Sequence, residues 1–413
     1  MSDTLSYEVL TKTVRGAAAA FRSITELQPV EGAGGKIFPA TYSKGVYATE
    51  RRRLRDGHGG PEREVDCVLL NSVQSEANHA EEALQRAIEL QQISLPLIEV
   101  DFKAANEKLK QPLPNLTSLT VPHRLADAIL RDSQLADGTR FSKSECAKKW
   151  ARANLWNATP IFEICPTALV FGMWGSPEKP GGLGAKFERA FVSETVAVDI
   201  VPESQDPAQR KSSGRMGFRI DPLSVKSAVL IKQRESGTFS VIGDSKEKNA
   251  LKPSEINHGN ILFEAERNGV RCRFAEQTTV ISLGALRKLR FPIEGKFDLA
   301  VDGAARTVLA SIALCAAVLA SEQGTSLRSR CHLFPTKPPV WQLLEKPGQT
   351  PGEFTIDGEA SIGLLKKAIA AAQHVKLPWM KDKLTLTPTD ELVELVRQSQ
   401  ELAAKEKGDG ETQ

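Results

Sequence analysis

Proton transfer near neutral pH is histidine chemistry, and the six histidines, His58, His79, His123, His258, His332 and His374, are scattered along the chain. None stands in an H-x-x-x-H or H-E-x-x-H spacing, so no helical metal site is written here. No G-x-S-x-G elbow offers a serine nucleophile. His123, beside Arg124, is the histidine best placed for acid–base work should distant segments meet. The six cysteines, Cys67, Cys146, Cys165, Cys272, Cys315 and Cys331, contain no C-x-x-C pair and mostly lie in apolar runs, where a reduced thiol packs as a small hydrophobe. The loop Gly181–Lys186 (GGLGAK) lacks the ending of a nucleotide loop: Ala185 precedes the lysine, and Phe187 stands where a hydroxyl would bind magnesium. Neither a metal nor a cofactor is implied.

The basic clusters shift the balance towards a phosphate-rich partner. The net charge is only +3, so the distribution of cations decides. Arg51, Arg52, Arg53 and Arg55 form one knot, followed only by Asp56. Arg210, Lys211, Arg215 and Arg219 form a second, with no carboxylate between Asp206 and Asp221. Arg328, Arg330 and Lys337 form a third. Met216 and Phe218 sit inside the second knot, where apolar side chains are unusual.

The elements that must position these groups are of mixed type. At 413 residues, with 41% apolar and 25% charged residues, the chain has enough apolar content for a packed core. Ala17–Gln28 and Val65–Leu70 read as strands. Asn71 or Ser72 caps a helix whose apolar face is Val73, Ala77, Ala80, Leu84, Ala87 and Ile88, with Gln74, Glu81, Glu82, Gln85 and Glu89 opposite. Its first turns carry the short donors Ser72, Gln74, Ser75 and Asn78, which suit phosphate and ribose contacts. Prolines break residues 94–159 into short pieces, with helices at Arg124–Leu130 and Lys143–Trp150. A strand is expected at Thr167–Trp174 and a helix at Ala185–Val198, the latter carrying Lys186 and Arg189. Asn268-Gly269 predicts a hairpin between Asn260–Glu266 and Val270–Ala275. Asp302–Ser321 is apolar almost all round and should be buried. Residues 403–413 read as a disordered tail. The start, MSDTLSYEVL, lacks the pattern of a signal peptide, and Val308–Ala320 is too short to span a bilayer, so a cytoplasmic protein without membrane contact is expected.

One resemblance is specific. DCVLLNSVQSEANHAEEALQRA (Asp66–Ala87), with Ser72-Val73-Gln74-Ser75 before its helix, resembles the crRNA-binding backbone subunit of type I CRISPR Cascade complexes, the Cas-seven family of the RAMP superfamily. Phe21–Tyr42, Leu119–Leu130, Cys165–Ser176, Gly181–Ile200 and Thr325–Pro335 are similar, in order, to its type I-G (formerly I-U) branch. The resemblance implies an α+β fold: an RRM-like (ferredoxin-like) palm over residues 1–402, with a large finger insertion at 94–159 and a β-hairpin thumb at 201–219.

It also implies a non-catalytic role. Copies would line up as a helical filament on guide crRNA and present its bases to a target DNA strand, beside other Cascade subunits and a recruited helicase–nuclease. The implied RNA contacts are Arg51, Arg52 and Arg53, then Ser72, Gln74, Ser75 and Asn78, then Lys186 and Arg189, then Arg210, Lys211, Arg215, Met216 and Phe218, and last Arg328 and Arg330. Members often place a cation where this chain has Asn78 and His79, which moves the expected grip on phosphate towards the arginine knots. Two other readings are an endoribonuclease of the same superfamily using His123, and a small-molecule enzyme whose site the sequence does not display.

Overall fold

The computed structural model describes residues 3–42, 46–55, 60–175, 185–201, 213–214, 229–233, 239–242, 250–253, 263–264 and 269–409. They fall into two compact units, the larger being Met1–Glu107, Pro112–Val201 and Val270–Val393. The smaller takes Lys108–Gln111, Pro202–Gly269 and Glu394–Gln413.

Eight elements frame the larger unit: β1 (Ala20–Pro29), β2 (Thr49–Arg55), β3 (Glu62–Asn71), α1 (Val73–Glu89), β4 (Phe191–Val201), β5 (Arg271–Ser282), α2 (Leu299–Glu322) and β6 (Cys331–Pro335). The sheet runs β6–β1–β5–β4–β3–β2, every neighbouring pair antiparallel. It follows that β1 and β4 are parallel, joined through α1, with β5 between them. Likewise β5 and β6 are parallel, joined through α2, with β1 between them. Trp341–Leu344 extends the sheet beside the first half of β1.

Alternation gives the sheet two different faces. Along β1, Phe21, Ser23, Thr25 and Leu27 are buried while Ile24 and Glu26 are exposed. Ser23, Thr279 and Ser193 lie side by side in register, as do Thr25, Gln277 and Thr195. This face meets α1: the buried Glu76 carboxylate accepts bonds from Thr195 Oγ1 (2.5 Å), Gln277 Nε2 (2.9 Å) and Ser193 Oγ (3.5 Å). Each polar group is thereby satisfied, which burial demands. Ser72 caps α1 by accepting from the Ser75 N–H, and Ala77, Ala80, Leu84 and Ala87 form its buried stripe.

Helix α2 is buried along almost its whole length, packed by α1 and by the helices Tyr7–Arg15 and Gly358–His374. At 24 residues it is longer than its apolar core suggests. Among the described residues it is the one helix long and apolar enough to cross a membrane, with 78% of that window inside the protein.

Several expected elements differ. Thr167–Trp174 is a helical turn, Thr167–Phe171, followed by the short strand Met173–Trp174. Its apolar run is buried on all sides, so no period distinguishes helix from strand. Ala185–Val198 is not a helix: Lys186–Phe187 pairs with Met173–Trp174, and Phe191 begins β4. The two-residue period of β4 is hidden because Val196 and Val198 are buried among Val65, Cys67 and Phe274 on the outer face, while Ser193, Thr195 and Ala197 are buried on the inner one.

In the 94–159 insertion, Asp127 splits the first expected helix into Arg124–Ala126 and Ala128–Arg131, and Ser144 caps the second, Glu145–Ala151. The insertion is stitched to a distant strand, Leu384–Pro388, which pairs with Ile98–Val100 and Ser133–Gln134. Phe263–Glu264 pairs with Ser213–Gly214 rather than with β5. Helix Asp390–Asp409 continues through most of the expected tail, since Leu402, Ala403, Ala404 and Lys405 are good helix formers.

If β4 and β5 are the central strands, their amides exchange last. Native-state hydrogen exchange should find Ser193–Val198 and Ala275–Val280 among the slowest amides, exchanging only through the largest opening. Fast exchange there, with α2 protected, would contradict the topology.

Candidate nucleic-acid interface

A buried ion pair builds the site. Arg124 and Glu81 are 6% and 2% exposed. Arg124 Nε and Nη2 donate to the two Glu81 carboxylate oxygens at 2.6 and 2.7 Å, and Nη1 donates to the Gly172 carbonyl at 3.1 Å. The Arg124 guanidinium also lies 5.6 Å from the centre of the Phe171 ring. Arg189 Nε donates to the Phe171 carbonyl at 3.2 Å. Helix α1, the insertion, the 171–172 turn and the lead into β4 are thus tied together by two guanidinium groups. Gly172 has φ +82°, and a Cβ there would lie 2.7 Å from Arg189 Cγ, so the turn admits glycine alone.

Burial pushes the Glu81 carboxyl up, to about 7, against the pull of Arg124 and Arg189. Burial and the Arg124 charge draw Arg189 down in turn, since two guanidinium groups converge on one carboxylate.

Above this floor lies a groove of about 570 Å³ lined by Pro122, His123, Trp174, Lys186, Phe187 and Arg189, among others. Lys186 is exposed, has no carboxylate partner among the described residues, and holds its Nζ 5.1 Å from the centre of the Trp174 ring. Trp174 is 70% exposed. Glu188 is engaged by Lys288 at 2.6 Å. With Glu188 matched, Lys186 and Arg189 give the described lining of the groove a positive excess. The His123 imidazole is exposed on the same groove and makes no hydrogen bond among the described residues.

The other expected contacts fare differently. Strand pairing neutralises the first arginine knot: Arg51 meets Asp66 (3.3 Å) and Glu64 (3.8 Å), and Arg55 meets Glu62 (2.8 Å). Arg52 reaches Glu50, Glu194 (3.0 Å) and Glu276 (4.0 Å). Only Arg53 of the four lacks an ion-pair partner among the described residues. Arg328 is spent on the Pro39 carbonyl at 2.9 Å, and Arg330 packs 4.3 Å from the centre of the Phe38 ring. Gln74 and Asn78 are exposed and Ser72 and Ser75 half-buried on α1, but Glu76 occupies the same first turn. That carboxylate already complements the helix dipole and weakens the turn as a phosphate site. Arg210, Lys211, Arg215, Met216 and Phe218 lie outside the described residues.

Sequence reading missed the Glu81–Arg124 pair by placing Glu81 on the polar face. The signal was present: Glu81 is four residues after Ala77 and three before Leu84, inside the apolar stripe. Trp174 was missed because nothing local pairs it with Lys186 until their strands meet. All six cysteines are free thiols, and no group of metal-ligating side chains occurs among the described residues.

Residues 22–202 match the family described as CRISPR-associated protein GSU0053. The match spans most of β1, all of α1, the insertion, the groove and β4, and it supports a CRISPR-associated protein. No curated protein sequence matches the chain.

The ion pair has a pH signature. An acid held above its free value keeps its proton longer in the folded state. The stability Glu81 contributes is therefore full below its free value of 4.5 and is lost as pH rises through about 7. Thermal melts of Glu81→Gln should fall further below wild type at about pH 5 than at about pH 8. A gap that widens with pH would reverse the assignment. Above about pH 8, where Glu81 is ionised, Arg124→Met strands the carboxylate and should cost about 3–5 kcal/mol.

Proposed function

We propose that the chain is the guide-RNA-binding backbone subunit of a type I-G Cascade complex, acting without catalysis in the cytoplasm. The observation that carries this reading is the positive excess of Lys186 and Arg189 beside the exposed Trp174, within the segment matched to a CRISPR-associated family. Cations beside an exposed aromatic ring suit holding a strand by its backbone and a base face.

The sheet supports an RRM-like palm. The order β6–β1–β5–β4, with α1 and α2 as the two crossovers, is the ferredoxin-like arrangement. Residues 94–159 would then be the fingers and 201–219 the thumb, which apart from Val201 and Ser213–Gly214 lies outside the described residues. In an RRM the open sheet face stacks bases on aromatic residues. Here that face carries more acids, Glu26, Glu194 and Glu276, than cations, Arg22 and Arg52, and its ring Phe274 packs against Val65, Cys67, Val196 and Val198. Phosphate is repelled there, and the groove at the start of β4 takes the strand instead. Copies would assemble along one guide, each holding its backbone while the base edges pair with target DNA. Other Cascade subunits and a helicase–nuclease complete the complex.

Sequence-independent binding makes affinity depend on salt. The purified chain should bind unrelated single-stranded RNAs and leave them intact. Lys186→Ala should reduce the slope of log affinity against log salt by about 0.7. Arg51→Ala, whose charge Asp66 and Glu64 already match, should change it less. Absence of RNA binding at low salt, or site-specific cleavage abolished by His123→Ala, would refute the reading.

A further inference from the structure

The groove at Trp174 has more structure than a phosphate site requires. A patch that only neutralised backbone charge would need cations on a polar surface. Here the ring is 70% exposed, an apolar surface left in water, and a cation sits 5.1 Å from its centre. The ring is also held from below. Met173 is buried, the preceding turn is fixed by Arg124 on the Gly172 carbonyl and Arg189 on the Phe171 carbonyl, and Trp174 pairs in register with Lys186. Two strand residues directly opposite share a face, so the cation and the ring are presented together.

A ligand that satisfies both groups offers a flat π-surface to the indole and an anion within reach of Lys186 or Arg189. A nucleotide has both, a base and a phosphate joined by one ribose. The groove, at about 570 Å³, has the size of small-ligand pockets. In a duplex the π-faces are stacked between neighbouring pairs and only the chain ends could reach the ring. We propose that Trp174 and Lys186 form a slot for one unstacked base of single-stranded RNA, with the adjoining phosphate held by Lys186 and Arg189. The proposal rests on the RNA-binding reading above and adds to it a stacking residue and a preference for single strands. Stacking uses a base's face and leaves its pairing edge unread, so the slot tolerates any sequence.

The full-length chain with a uridine-rich single-stranded RNA carrying 5-iodouracil tests this. Irradiation should crosslink the base to Trp174, located by mass spectrometry. Trp174→Leu should weaken single-strand binding about 5- to 150-fold while keeping the salt slope, and Trp174→Phe should restore most of it. Binding to a long RNA duplex, whose two ends are a small fraction of its sites, should respond little to Trp174→Leu. The ring is exposed, so unchanged melting temperatures would show that both variants fold. Wild-type single-strand affinity in Trp174→Leu, with no crosslink at Trp174, would overturn the slot and leave the RNA-binding reading standing. Failure of the wild-type chain to bind RNA at low salt would remove that reading as well. Equal weakening of duplex and single-strand binding would make Trp174 a general surface contact and also overturn the slot.

Discussion

The buried pair between Glu81 and Arg124 joins helix α1 to the 94–159 insertion beneath the groove. Arg124 sits at φ +52°, a left-handed conformation that costs a non-glycine residue about 1–3 kcal/mol. Removing one partner of a buried ion pair costs about 3–5 kcal/mol, so the pair is strong enough to hold that backbone. The left-handed turn in turn aims Arg124 at both the Glu81 carboxylate and the Gly172 carbonyl. A guanidinium suits this junction better than an ammonium because its planar fork serves two acceptors at once. The groove exists because its floor is fixed in this way.

The same pair explains why Arg189 remains available. A carboxylate grasped by two nitrogens of one arginine has limited capacity for a second. Arg189 therefore spends its Nε on a backbone carbonyl and keeps its charge facing the groove. The contrast with the Arg51–Arg55 strand is instructive. Its arginines are denser in sequence, yet β3 places Glu62, Glu64 and Asp66 along the neighbouring strand. Charge density along a chain says little until strand pairing has decided which acids lie opposite.

Much of the frame was legible. The Ser72 cap, the α1 apolar stripe and the buried Ala/Leu helix α2 follow from local rules that tertiary structure did not override. Legibility failed where burial is two-sided. Thr167–Phe171 is buried on every side, and Val196–Val198 of β4 is a continuous buried apolar run, so a helix and a strand present the same pattern there. It failed again at the site, because Glu81, Arg124, Trp174 and Lys186 come from four segments, and sequence carries no direct sign that they converge. Lys186 and Arg189 were chosen for being basic beside a supposed helix N-terminus. They line the groove for another reason, namely the short strand that pairs Lys186 with Trp174.

The two faces of the sheet then divide the work. One is closed by α1 and α2 over a hydroxyl-rich layer in which Ser193, Thr195 and Gln277 satisfy Glu76. The other is open and acidic, with Glu26 directly opposite Glu276 in register. Like charges facing each other across a strand pair are destabilising, and here Arg52 relieves Glu276 only at 4.0 Å. A polyanion brought to that face would add a further repulsion. Under the proposed role, the electrostatics favour a strand off the sheet face and towards the start of β4, where Lys186, which has no acid partner among the described residues, and an exposed indole stand together.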